Sequence, residues 1–415
     1  MALFVDRFKF VLVCLTLVLG GRMTYAQTAE HICNSEYRID STEVGALYAE
    51  LDNISFFKDN EFAGTVMKGY SLPGLWIQPK LSYNPIKNIH LELGAHALVY
   101  SGAYKYPAYA FHDIVKWKGN QYQKGTHILP FYRAQFAWKN VNVVLGNIYG
   151  GSNHLLMEPM YNPELNLTAD PEMGLQVLYD LPHFHLDAWI DWQSYIFDLD
   201  THQEAFLVGF SSKVDYTSKN SPFHFYSPFQ ITIQHRGGEQ DITDAGVQTL
   251  SNLGVGAGMQ WNANRRVLSQ LKTELNFVAS YQQAGTLWPY TKGFGGYASL
   301  SAKLWERLKF KAAYFVGHDY ISLMGIPYYG TLSLKQPGAK YDGMQTAYGS
   351  VEYSRIFAKY FALGVKADAY YVMPGNMTDE SGATIDKADN LNFSFGVYLR
   401  VNPRFLIKNF SKKTK

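Results

Sequence analysis

Leu391–Asn402, LNFSFGVYLRVN, decides the fold. Leu391, Phe393, Phe395, Val397, Leu399 and Val401 fall on one face, and Asn392, Ser394, Gly396, Tyr398, Arg400 and Asn402 on the other. Side chains alternate across a strand with period two, so this segment has one apolar and one polar face. Its length suits a tilted strand crossing a bilayer, which needs about 9–11 residues. One strand of a soluble sandwich would show the same pattern. The recurrence of the pattern, and the lengths of the links between its copies, carry the argument.

Working outward, about sixteen strand-like segments follow one another from Ala46 to Asn402. In Ile89–Tyr100, Ile89, Leu91, Leu93, Ala95, Ala97 and Val99 face one way and His90, Glu92, His96 and Tyr100 the other, with Leu98 an apolar exception. Every second link is a short turn, such as Lys139-Asn140 or Ala358-Lys359. The other links tend to be long: Lys58–Tyr70, Ser101–Ile128, Gly150–Pro171, Gly237–Gly246, Gln283–Gly296, Gly317–Asp342 and Pro374–Asn390, with Asp198–Gln203 the short exception. Short turns at one end, long loops at the other and an even strand count describe a transmembrane antiparallel β-barrel with short periplasmic turns and long extracellular loops.

Composition agrees. After an N-terminal apolar run there is no stretch of roughly 18 apolar residues to make a membrane helix. Aromatic residues make up 16% of the chain, with 31 Tyr and 26 Phe. Net charge is +2 and charged residues are 17%, which argues against a basic nucleic-acid-binding face. Arg7 and Lys9, the apolar run from Phe10 to Gly20 and Thr24-Tyr25-Ala26 read as a cleavable signal peptide over residues 1–26. That leaves Cys33 as the one mature cysteine, so no intramolecular disulfide is expected. The reading divides the rest into a short periplasmic segment, 27–45, a barrel, 46–402, and a C-terminal tail, 403–415.

Lipid offers no hydrogen bonds, so the sheet must close and its apolar set must point outward. The inward set holds His90, Glu92, Arg133, Asp187, Asp191, Lys213, Arg236, Lys272, Glu274, Lys366, Asp368 and Arg400. These are expected to line a lumen, which a barrel of about sixteen strands is wide enough to hold open.

Here the sequence resembles the porin-like outer-membrane β-barrels of Gram-negative bacteria. The resemblance covers most of the mature chain as architecture, and is most local in the last strand. There Ser394, Gly396, Leu399 and Val401 fit the polar-x-Gly-x-x-apolar-x-apolar signal presented to the barrel-insertion machinery. The pattern departs at its end: Phe405–Phe410 and a basic SKKTK tail follow where an aromatic residue should close the chain. The resemblance implies residence in the outer membrane, contact with its lipid, passive diffusion of small hydrophilic solutes and assembly often as trimers. No nucleic-acid partner, cofactor or metal is expected, and no enzymatic activity.

Gly150–Pro171, GGSNHLLMEPMYNPELNLTADP, is the most distinctive loop. Its Gly-Gly start permits a sharp bend, and its apolar residues suit an inward fold. Glu158 and Glu164 would then give a constriction negative charge. His112-Asp113, His154 with Glu158, and His318-Asp319 are candidates for a rim site, metal-binding or hydrolytic, although none has ligand spacing within one element. Tyr104, Tyr106, Tyr109, Phe111, Trp117, Trp288, Tyr290, Tyr320, Tyr328 and Tyr329 in the loops would suit stacking on sugars. The diffusion channel therefore has two rivals: a loop-plugged barrel that binds a partner or glycan at the surface, and a rim-site hydrolase.

Overall fold

A computed structural model describes residues 33, 35–100, 125–197, 202–238, 246–336, 338–373, 375–379, 381–385 and 391–411. The expected signal peptide and most of the loop after Tyr100, with His112, Asp113 and the aromatics beside them, lie outside the described residues. The strands are β1 (Ala46–Glu61), β2 (Tyr70–Ile86), β3 (Ile89–Tyr100), β4 (Gly125–Trp138), β5 (Val141–Asn147), β6 (Met173–Leu181), β7 (Phe184–Ser194) and β8 (Ala205–Asp215). They continue as β9 (Phe223–Arg236), β10 (Gln248–Asn262), β11 (Leu268–Ala284), β12 (Lys292–Leu304), β13 (Leu308–His318), β14 (Met344–Ala358), β15 (Phe361–Val372) and β16 (Leu391–Val401).

Each strand pairs antiparallel with the next, and β1 closes the ring against β16, with Asn53 opposite Val401 and Glu61 opposite Phe393. The result is a closed sixteen-strand barrel. The boundary expected at Asn402 moves. Pro403 has no N–H to give the ladder, but pairing resumes at once as Arg404–Asn409 runs along Ala46–Glu50. Arg404 holds it there, its Nε donating to Glu50 and its Nη1 to Glu43, both at 2.6 Å.

The outward face is apolar, with Leu93, Ile128, Leu145, Leu275 and Leu300 exposed at mid-strand. Aromatics ring both ends: Trp138, Phe223, Trp305 and Phe361 near the short turns, Trp192, Phe294, Tyr371 and Phe393 near the long loops. This is the surface of an outer-membrane barrel, apolar at the waist and aromatic at both interfaces.

The interior differs from the polar lumen expected. Val144, Leu178, Leu207, Leu250, Val278 and Phe315 are buried on the inward face, where an aqueous channel would favour polar groups. They pack against two loops that fold into the barrel, residues 148–169 and 319–342. Leu98, the apolar exception in β3, is fully buried in a cluster with Ile54, Phe56 and Leu167 of the first loop. A third element enters from the short-turn end, where the Ser35 N–H donates to Asn153 and the Tyr37 hydroxyl to Asp180. Part of the expected periplasmic segment therefore lies inside the barrel.

Candidate functional site

The plug is held by ion pairs to the wall. Lys311 Nζ lies 2.6 Å from Glu158 Oε1, and the Tyr297 hydroxyl donates to Glu158 Oε2 at 2.6 Å. Burial alone would raise the Glu158 pKa, but Lys311 and Lys366 hold the carboxyl below its usual range. Glu164 is bonded by Lys58 and Tyr70. Both glutamates expected at a constriction do lie inside the barrel, but each faces a lysine, so they give the lumen no free negative charge.

His154 sits deeper. Its ring stacks on Trp189 with centroids 3.5 Å apart, its Nδ1 is 2.7 Å from Asp187 Oδ2, and its Nε2 is 2.8 Å from Glu172 Oε2. Burial opposes its charge, yet the two carboxylates outweigh burial and push the imidazole up to about 10. His154 does not meet Glu158, contrary to the pairing considered from sequence. With both nitrogens committed to carboxylates it is a clamp and not a base. Gly209 makes room for it: a Cβ there would lie 2.0 Å from Trp189 Cζ2. Gly209→Ala should therefore lower stability by about 1–3 kcal/mol through overpacking, read as an earlier urea midpoint of the purified barrel.

The two loops also grip each other. Tyr320 and Ser322 donate to the Pro159 carbonyl at 3.1 and 2.7 Å, and the Ile326 N–H donates to the Glu158 carbonyl at 3.0 Å. Tyr320, Tyr328 and Tyr329 are fully buried in this contact. They are core residues and cannot serve as the sugar-stacking platforms their loop position suggested.

The residues expected to line a pore face inward but are largely engaged with each other. Arg133 reaches Glu92 at 2.7 Å, Lys366 reaches Asp368 at 2.9 Å, and Arg400 grips Asp52 at 2.7 Å. His90 and Lys80 adjoin Glu92, Gln176 donates to Asp187, and Asp191 accepts from the Met173 N–H. Arg236 is buried. Lys213, Lys272 and Glu274 gather around Tyr226 nearer the short turns. His318 and Asp319 pair at 3.2 Å at the long-loop rim. No cluster of metal ligands forms among the described residues.

One described cavity lies outside the plug. A groove of about 780 Å³ opens on the outer wall at the long-loop rim, where β1 and β2 meet β15 and β16. In β1, Ile54 and Phe56 point inward, so Phe57, Asp59 and Glu61 point outward. Ser71 of β2, directly opposite Asp59, donates to its Oδ1 at 2.7 Å. Tyr371, Leu391 and Phe393 supply apolar walls. On the lipid face at mid-membrane a Lys or Arg costs about 2–4 kcal/mol and a carboxylate less, and the cost falls toward zero near the interface. Asp59 and Glu61 are therefore tolerable on the outward face because they stand at the long-loop end of β1 and not at its middle. The sequence reading passed over them, and the available signal was two carboxylates in the lipid-facing phase of a strand.

A family model for lipid A 3'-O-deacylase-type proteins matches residues 39–410. The chain belongs to that family. The expectation of a protein without enzymatic activity is thereby overturned, because the lipid A 3'-O-deacylase-type family is named for an acyl-ester hydrolysis. The architecture that suggested a pore is shared by barrels whose interiors are filled, and strand periodicity does not tell the two apart. No curated protein matches the deacylase-type chain. Solved structures of similar architecture include a loop-deleted OmpT of Vibrio cholerae, at 11% identity and TM-score 0.46, covering 86% of this chain and 98% of that one. OccAB3 of Acinetobacter baumannii matches at 10% identity and TM-score 0.45, covering 86% and 99% of the two chains. OprD of Pseudomonas aeruginosa matches at 9% identity and TM-score 0.42, covering 92% and 100%. At those values the likeness says nothing of function.

Proposed function

We propose that the protein is an outer-membrane acyl-ester hydrolase that works on a lipid of the outer leaflet, with the 3'-O-linked acyl chain of lipid A as the substrate its family suggests. The observation that carries this reading is the outward groove, with the Ser71–Asp59 hydrogen bond near the long-loop rim and the apolar side chains of Tyr371, Leu391 and Phe393 beside it on the rim side. Asp59 accepts the proton of the hydroxyl that attacks the ester carbonyl, either that of Ser71 or that of a water held in its place. Leu391 and Phe393 border the ester on its long-loop side. The plugged interior supports this reading over passive diffusion, since Glu158, Glu164 and His154 tie the loops to the wall.

The test is made on refolded, detergent-purified protein mixed with lipid A, with products read by mass spectrometry and conductance read in a planar bilayer. A lipid product lighter by one acyl chain, free fatty acid and no stable current steps are expected. Reproducible current steps with lipid A unchanged would sink the hydrolase reading.

A further inference from the structure

On the opposite wall of the barrel, four outward side chains stand in one row across four strands. Trp192 of β7 is opposite Phe206 of β8, Phe206 is opposite His235 of β9, and His235 is opposite Thr249 of β10. The rings form a continuous surface, Trp192 to Phe206 at 5.0 Å and Phe206 to His235 at 5.0 Å between centroids. His235 continues the lipid-facing phase of Ile231 and Ile233, one residue from the long-loop end of its strand. The row is bracketed by two irregularities in pairing, one between Trp192 and Ser194 and one where Thr249 and Leu250 meet β11. Bulges of this kind gather at barrel rims and beside active sites, where they re-aim side chains.

The hydrogen bonds of His235 are ordered. Its Nε2 is 2.9 Å from the Gly237 carbonyl, which can only accept, so Nε2 carries a proton. In the neutral ring Nδ1 is then an acceptor, and it lies 2.9 Å from Thr249 Oγ1. Gly237 has a φ of +86°, a left-handed conformation that favours glycine, just where the chain leaves β9. A hydroxyl within reach of a base, with that base oriented by a third group, is the arrangement that activates a nucleophile.

We propose that Thr249 and His235 form a second, lipid-facing catalytic dyad that takes acyl esters, independent of the Asp59 groove. Thr249 Oγ bonds to the ester carbonyl carbon as its proton passes to His235 Nδ1. The alcohol then leaves with that proton, and the acyl group stays on Thr249. Water attacks the acyl-threonine, gives a proton to His235 and releases the carboxylic acid as Thr249 recovers its hydrogen. The aromatic row beside the ring offers a flat apolar bed for the chain.

The full-length protein in detergent is treated with a long-chain alkyl fluorophosphonate, and the labelled peptides are mapped by mass spectrometry. An adduct is expected on Thr249, lost in Thr249→Val, kept in Thr249→Ser, and formed at least about 100-fold more slowly in His235→Gln. Heat-modifiable migration checks that each variant is folded, and Thr249→Ser with His235→Gln decide the matter if Thr249→Val does not fold. Folded protein without an adduct at Thr249 would overturn the dyad. Label confined to Ser71 would overturn it equally while leaving the groove reading intact.

Discussion

Asp59→Asn, made in a Thr249→Val background so that only the groove is read, is expected to leave a folded barrel that releases acyl chains at least about 100-fold more slowly than that background alone. Asparagine keeps the size of the side chain and can still accept a hydrogen bond from Ser71, but it cannot take up a proton from an attacking hydroxyl. Asp59 also lies on the outward face, away from the ion pairs that hold the plug, so folding should be little affected. Ser71→Ala separates two routes. If Ser71 attacks the ester, its loss should match that of Asp59→Asn; if water attacks, the fall should be smaller. The measurement is the initial rate of fatty-acid release from lipid A by purified protein. Rates equal to that background's in both variants would remove the groove from the mechanism.

His154→Ala should have the largest effect on stability, about 3–5 kcal/mol, because it leaves two carboxylates facing each other with no cation between them. Asp187 is fully buried and Glu172 nearly so, which denies them the water that would otherwise take over. The same clamp predicts a pH dependence. The folded imidazole holds its proton up to about 10, against roughly 6.5 in an unfolded chain. Its contribution is therefore complete below about pH 6.5 and lost progressively as pH rises toward 10. Denaturant midpoints taken at pH 6 and pH 9.5 should differ in the unaltered protein and converge in His154→Ala. A midpoint that does not fall between those pH values would show that the clamp carries no charge.

Much of the architecture is legible in the sequence. Leu391–Asn402 reads as a membrane strand because lipid on one side imposes a period of two that no helix shares. The alternation of short turns and long loops followed from the same residues. Leu98 was visible as an exception, but its reason was not, since Leu167 reaches it only after the loop turns inward.

The candidate site was harder to see. Asp59 and Ser71 belong to neighbouring strands, but their apolar walls, Tyr371, Leu391 and Phe393, come from the far end of the chain. Only closure of β1 against β16 brings them together. From sequence His154 pairs with Glu158 of its own loop, but its carboxylate partners lie on the wall and at the end of that loop, and they make it a structural clamp.

By itself, then, the sequence determined a closed barrel of sixteen strands with an apolar exterior, because periodicity and turn length are local properties that lipid enforces residue by residue. What fills the interior was decided by the tertiary structure alone. Glu158 with Lys311, Glu164 with Lys58 and Ile321 against Leu250 are contacts between distant parts of the chain. An inward lysine reads the same in sequence whether it faces water or a buried carboxylate.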